Sequence, residues 1–428
     1  MRIMTNKIAK RSLRILVAGG GVAGQALAFW LTRGGHAVTV VERSPALRAS
    51  GAQVDLRGQG IEAVERMGLL REVRSRLVDE AGVAFVDSCG KPRATIMANT
   101  SGKGRQSLTS EYEIMRGDLV RILHNATRDD AEHVFGMSVD GFDQHSERVT
   151  AHFSDGTSGE YDLLIGADGQ GSRTRRALLP PGSDPYWRVG IHMAYWFAPR
   201  IASDTNIRDT YMVPGGRQIM RRSHNATETQ VYFVMREESA EASAIHRAPV
   251  EQQQAFWAER FKDAGWQTER SVTGMKDSPF FYSQEIAQVR IDNWSKGRVV
   301  LAGDAAHCAS PYSGMGISGG LVGAYVLAGR STGTRPTCRP RWRTTNRSCG
   351  PSSTRSRERS TPASCAWACP SVSTPSARSR ASPRWPASCA SPTWSPACRG
   401  RTAAATGSSR PSPTRTPPER RAESTLRS

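Results

Sequence analysis

Three glycines, Gly19, Gly21 and Gly24, follow the apolar run Ile15-Leu16-Val17 and precede a stretch with helical apolar spacing, Ala26, Leu27 and Trp30. Glycines at this spacing suit anion binding. The first turns the chain, the second lets a phosphate approach the backbone, and the third lets helix and strand pack together. The helix start then offers unpaired N–H groups and a favourable dipole. A second strand-like run, His36 to Val41, ends in Glu42, 18 residues after Gly24. A carboxylate there can accept hydrogen bonds from both vicinal hydroxyls of a ribose. The pattern predicts a dinucleotide site; without the carboxylate it would read as an ordinary βαβ unit.

Two further segments place a carboxylate or glycine at the end of a buried strand. Tyr161 to Ala167 leads into Asp168-Gly169-Gln170-Gly171-Ser172-Arg173-Thr174-Arg175, and Arg298 to Ala302 leads into Gly303-Asp304-Ala305-Ala306-His307. The alternative for each aspartate is a tight turn. Arg116 opens the helix RGDLVRILHNA, where its fork suits phosphate oxygens or a salt bridge on the helix face.

These three motifs, in this order, resemble those of the FAD-dependent aromatic hydroxylases of the para-hydroxybenzoate hydroxylase type, over roughly residues 13 to 330. SGAQVDLRGQGIEAVERMGLL and Arg116-x-Asp118-Leu119 look most like the tetracycline-inactivating monooxygenases and related polyketide or phenol hydroxylases. The resemblance implies that Gly19, Gly21 and Gly24 hold the FAD pyrophosphate, Glu42 the adenosine ribose, and that Arg43 lies over the adenine. It implies Arg116 near the ribityl and phosphate region, and Asp168 and Gly169 with Ser172 and Arg175 serving FAD and the nicotinamide cofactor. Gly303 and Asp304 would meet the ribityl chain. Pro311, Gly314 and Gly316 would lie against the isoalloxazine at a helix N-terminus, whose dipole favours negative charge on reduced flavin. His307 either flanks the flavin or is a structural histidine.

No catalytic side chain is implied, because the flavin carries the hard chemistry. The resemblance implies NADPH or NADH as co-substrate, O₂, and oxygen transfer through a flavin C4a-hydroperoxide to an aromatic, polyketide-like or tetracycline-like small molecule. The alternatives are a flavin oxidoreductase without oxygen insertion, or an inactive flavin-binding remnant. Substrate-facing candidates are His192 and Arg217, with Tyr195, Phe197 and Met220 as apolar neighbours. Ser318, where many members have Asn, and Gly323, where a helix Asp is common, depart from the family pattern. No metal site is expected.

The elements that must position these residues read as an α/β fold. A Rossmann-like FAD-binding domain is expected in three parts, 13–80, 105–180 and 286–329. It is interleaved with a smaller, mainly antiparallel-sheet substrate domain from 81–104 and 181–285. Val83 to Asp87 and Arg93 to Met97 read as a hairpin around Cys89-Gly90, followed by a glycine-rich loop at 101 to 104. The absence of a long apolar run, and of an apolar core in MRIMTNKIAKRS, predicts a cytoplasmic protein with no membrane partner.

The formal charge of +19 divides unevenly. From Ser331 to Ser428 there are 18 Arg, no Lys, three Glu and no Asp, which leaves 40 basic and 36 acidic groups in the first 330 residues. The basic excess therefore belongs to the tail, and without helix-turn-helix or RNP-like signals a nucleic-acid partner is not expected. Only Cys89 and Cys308 precede residue 331, so no disulfide framework is expected. Residues 330–428 form a low-complexity segment rich in Ser, Pro, Thr, Arg and Ala, yet carrying Trp342, Trp367, Trp385 and Trp394. It reads as a disordered tail or as an out-of-frame product beginning near Gly329, where the helical run LVGAYVLAG stops abruptly. Resequencing the gene separates the two. The out-of-frame reading expects an uninterrupted frame that continues in helical sequence beyond Gly329.

Overall fold

The apolar runs around the glycine motif form a mainly parallel sheet. Ile15, Leu16 and Val17 are fully buried, as continuous apolar sequence requires of a strand covered on both faces. In this computed structural model residues 12–47, 51–101 and 108–331 are described. The expectations for the N-terminal segment, most of the 101–104 loop and the basic tail lie outside them. The strand Arg14–Ala18 sits between Ala37–Glu42 and Leu163–Gly166. Glu132–Phe135 follows on one side, and Val299–Leu301 and Ser295–Lys296 on the other.

Alternation decides what each face packs against. Ile15 and Val17 meet the helices Val22–Arg33, Arg116–Asn125 and Gly316–Ser331. Leu16 and Ala18 meet a three-stranded antiparallel sheet, Val139–Gln144, Val149–Phe153 and Ser158–Tyr161. The parallel register pairs Ala18 with both Val41 and Gly166, and Gly166 with Leu301. The C-terminal ends of four strands thus finish level, and all three sequence motifs begin there.

A second sheet of seven strands runs Phe281–Val289, Tyr186–Pro199, Glu228–Arg236, Arg217–Ser223, Ile207–Val213, Gly82–Val86 and Pro92–Met97. The hairpin forms with Val83 opposite Ile96. It joins the rest by a parallel pairing of Gly82–Val86 with Ile207–Val213, so the sheet is antiparallel at every pairing except this one. One face carries Trp196, Val213, Ile219 and Phe233 against the helices Val250–Phe261 and Thr268–Asp277. The other face meets a two-stranded ribbon, Gln53–Asp55 with Glu113–Met115.

On the helix-covered face a chain of neutral donors and acceptors ties sheet to helices. The Glu237 carbonyl can only accept, so His192 Nε2 donates to it at 2.9 Å and His192 Nδ1 accepts from His246 Nε2 at 2.8 Å. Ser283 Oγ then donates to His246 Nδ1 at 2.6 Å, and itself accepts from Trp257 Nε1 at 3.0 Å. In this arrangement each ring donates through Nε2 and accepts through Nδ1. Burial, with His192 adding, lowers the His246 pKa from 6.5 to about 4. The unfolded chain therefore binds one more proton than the folded one between those values. Stability from this group is complete above pH 6.5 and falls as the pH drops towards 4. With partial exposure taken into account the loss is roughly 1–2 kcal/mol. His246→Gln can donate and accept without titrating. Thermal melts at pH 7 and pH 5 are expected to show a smaller pH shift for His246→Gln than for the parent.

Candidate functional site

The site is assembled at the level end of the parallel strands. Gly19 has φ +112°, and its N–H donates to the Val41 carbonyl at 2.7 Å. A Cβ on Gly24 would lie 1.8 Å from the Gly19 oxygen, so only glycine fits there. Gly21 is the N-cap of the helix Val22–Arg33 and offers no side-chain acceptor, which leaves the first-turn N–H groups to a ligand. Arg116 opens its own helix and brings an Nη to 3.4 Å from the position a Gly21 Cβ would take. Glu42 Oε2 accepts from Gly20 N at 2.8 Å and Oε1 from Ser44 N at 3.0 Å. Each oxygen keeps acceptor capacity for a hydroxyl. Arg43 stands exposed beside it.

The Gly303 segment comes to the same edge. Gly303 has φ +58°, and its Cβ would lie 2.7 Å from the Ala23 side chain, so the turn presses on the first helix. Asp304 begins the short helix Asp304–His307 and remains exposed to solvent although protein surrounds it, as a group lining a deep cleft does. That enclosure raises its pKa, while His307 and Arg116 draw it back. Gly316, which opens the helix Gly316–Ser331, comes within 3.9 Å of Asp304 Oδ1, measured from its notional Cβ. Before it, Pro311–Ser313 makes one 3₁₀ turn and Gly314 is left-handed at φ +62°. A Cβ on Gly314 would stand 3.1 Å from Arg57 Nε, placing that guanidinium over the turn. Arg57 is paired with Asp55. The Asp55 carboxyl is pushed up to about 6 by burial and then by Glu113.

The Asp168 segment plays a more structural part than its motif suggests. Ser172 Oγ donates to Asp168 Oδ1, and Arg173 N and Thr174 N donate to Oδ2 at 2.8 and 3.0 Å. The carboxylate is engaged in starting the helix Arg173–Leu178, and Gly169 beside it is open. Arg175 is 2% exposed and donates to the carbonyls of Ala305 and Gln170 and to Tyr186 Oη. It ties the Gly303 segment to the large sheet, so its hydrogen bonds in this structure go to the protein itself.

The two substrate-facing candidates also need correction. His192 is fully buried within the histidine chain on the helix-covered face. Arg217 donates to Asp263 Oδ1 and Oδ2 at 2.6 and 2.9 Å and to the Arg260 carbonyl, on that same face. Strand alternation places Tyr195, Phe197 and Met220 on the opposite face. There the Tyr195 ring lies 5.4 Å from Tyr232, 5.3 Å from Phe280 and 5.5 Å from Tyr282, which makes an aromatic wall. The ribbon docks on this face, with Gln230 Nε2 donating to Gln53 Oε1 at 2.8 Å. Arg222 pairs there with Glu80 at 2.7 Å and Glu113 at 3.2 Å. Among the described residues no cluster of His, Cys, Asp and Glu has the form of a metal site.

Residues 12–330 match the FAD binding domain family. The chain belongs to the FAD-binding flavoprotein monooxygenases. It is 40% identical over 322 residues to the FAD-dependent monooxygenase asL4 of Sarocladium schorii, a match covering 74% of this chain and 75% of that protein. Identity is 42% over 332 residues to the flavin-dependent monooxygenase eupH of Phoma sp, covering 74% and 77%. Among solved structures, tetracycline destructase Tet(51) superposes with a TM-score of 0.66 at 31% identity, covering 76% of this chain and 83% of that one.

In this monooxygenase the open helix start, the anchored Glu42 and the overlying Arg116 suit the phosphates and ribose of FAD. The two departures from the family pattern have packing reasons. Ser318 Oγ accepts from Arg57 N at 2.9 Å, and a Cβ on Gly60 would strike Ser318 at 2.4 Å. Gly323 and Gly319 flank the His307 ring, whose Nε2 lies 3.5 Å from a notional Gly323 Cβ. Burial lowers the His307 pKa while Asp304 draws it back up, and the ring packs beside Trp294. Arg222 and Glu113 were missed because they pair across remote stretches of sequence, and Arg57 because the Gly314 turn it overlies is equally remote, although Arg222 inside a strand was a signal. Glu42→Ala removes both backbone-anchored oxygens. Fluorescence titration of the deflavinated protein is expected to show FAD binding weakened by about tenfold or more.

Proposed function

We propose that this monooxygenase uses NADPH or NADH and O₂ to hydroxylate an electron-rich aromatic or enolic small molecule of polyketide type. The level strand ends carry the reading. They gather the glycine turn, Glu42 and the Asp304 segment at one edge, while the ribbon beside them docks the aromatic face of the large sheet. Relatives named as monooxygenases from fungi, and the likeness to tetracycline destructases, support a polycyclic or polyketide substrate class.

Bound FAD would supply the redox chemistry, accepting a hydride and delivering one atom of O₂. The protein's own residues then have binding and positioning roles. Gly19, Gly21 and Gly24 with Arg116 hold the pyrophosphate, and Glu42 accepts from the adenosine ribose. Asp304 accepts from the ribityl hydroxyls. Pro311, Gly314 and Gly316 hold the ring system at a helix start whose dipole favours the reduced anion. Tyr195, Phe197 and Tyr232 exclude water and stack the substrate. Arg57, paired with Asp55 over Gly314, would offer a guanidinium donor to the bound ring system.

Purified protein loaded with FAD is expected to consume NADPH faster in the presence of an acylphloroglucinol or a tetracycline. With ¹⁸O₂, one labelled atom should enter the product. NADPH consumption that yields only hydrogen peroxide across such a panel would instead favour an oxidoreductase without oxygen insertion.

A further inference from the structure

The inner face of the large sheet carries two neighbouring arginines in different circumstances. The register that pairs Asp209 with Arg221 puts Arg208 directly across from Arg222. Arg222 is satisfied, with Nε at 2.9 Å from Glu80 Oε2 and Nη2 at 2.7 Å from Glu80 Oε1. Thr109 Oγ1 lies 2.8 Å from Glu80 Oε1 and 3.0 Å from Glu113 Oε1 and shares its one proton between them, and Glu113 also accepts from Gln53 at 3.1 Å. Arg208 is left out of this network. Its Nε is buried and has no hydrogen-bond partner.

Two residues along the strand, on the same face, Thr210 repeats the pattern. It is 1% exposed, and its Oγ1 is buried with no partner. Met220 lies across from Thr210, and Tyr232 lies across from Met220, so the pair adjoins the aromatic wall. An unmet buried donor is costly, and more so on a charged side chain. A cation kept only to neutralise Glu80 and Glu113 would be hydrogen-bonded to them, as Arg222 is. Burial and the charge of Arg222 lower the Arg208 pKa, and the two glutamates offset this from longer range.

We propose that Arg208 and Thr210 form a substrate subsite that receives a phenolate or enolate oxygen of the molecule being hydroxylated. The proposal rests on the monooxygenase reading of this sheet face. A guanidinium N–H and a hydroxyl on one strand face give an anionic oxygen two donors, one of them charge-assisted. Keeping that oxygen deprotonated keeps the attached ring electron-rich, which suits a ring that must accept an electrophilic oxygen atom.

The test uses full-length protein loaded with FAD, titrated at mildly alkaline pH with 2,4,6-trihydroxyacetophenone and with its tri-O-methyl ether. Binding is read from the flavin absorbance. The parent should prefer the anion. Arg208→Met should weaken anion binding by about tenfold or more with the ether unaffected, and its melting temperature should stay level or rise. Thr210→Val should shift the same preference by a smaller factor. Anion preference retained in both variants overturns the subsite. So does a lowered melting temperature in Arg208→Met with the preference unchanged, which would mark a structural cation. A parent that holds FAD but binds neither probe overturns the subsite and spares the flavoprotein reading; a parent that holds no FAD overturns both.

Discussion

A backbone-to-backbone contact between Gly19 and Gly24 sets the geometry from which the cofactor edge is built. With no Cβ between them, the first helix lies directly on the end of the central strand. That contact exposes the helix start, sets Ala23 against Gly303, and so fixes where the Asp304 segment and the helix Gly316–Ser331 come to rest. The anion-binding end is then a consequence of close packing and needs few dedicated side chains. Glu42 shows the same economy, since the Gly20 and Ser44 amides that hold it belong to the turn it serves.

The second sheet is attached by polar chemistry. Arg222, Glu80, Glu113, Gln53 and Gln230 are buried or nearly so and join the sheet to the ribbon. Such a junction gains little net free energy over apolar packing, but removing one partner leaves a buried charge unmet. It therefore favours one docking arrangement strongly over its neighbours. Arg175, donating across to Ala305, Gln170 and Tyr186, does the same at the other end of the sheet.

What could be read from the sequence follows from where each constraint lives. The glycine turn, the strand-ending aspartates and the hairpin around Gly90 are local, because backbone conformation and tight turns leave their marks within a few residues. The α/β class and the second, mainly antiparallel sheet were legible for the same reason. The protein partners of Asp168 and Arg175 were less so, since a helix start and a buried tie join groups that a short motif does not name. His192 and Arg217 were assigned to the face that holds Tyr195, and alternation alone splits His192 from Tyr195. Ser318 and Gly323 made sense only once Arg57 and His307 were seen beside them. The parallel pairing of Gly82–Val86 with Ile207–Val213 could not be read at all, because no local pattern distinguishes a parallel from an antiparallel neighbour.

That parallel pairing bears on how the chain is made. The hairpin Gly82–Met97 leaves the ribosome long before the strand that completes its sheet, and one hydrogen-bonding edge waits for a partner through the synthesis of two further strands of the parallel sheet. Long-range pairings of this kind form late and slowly. The large sheet closes only when Phe281–Val289 has been made, so its lobe is not a contiguous cassette that recombination could exchange intact. Change in what such a protein accepts must then come mainly by substitution along one face of strands already in place, which leaves the cofactor edge untouched.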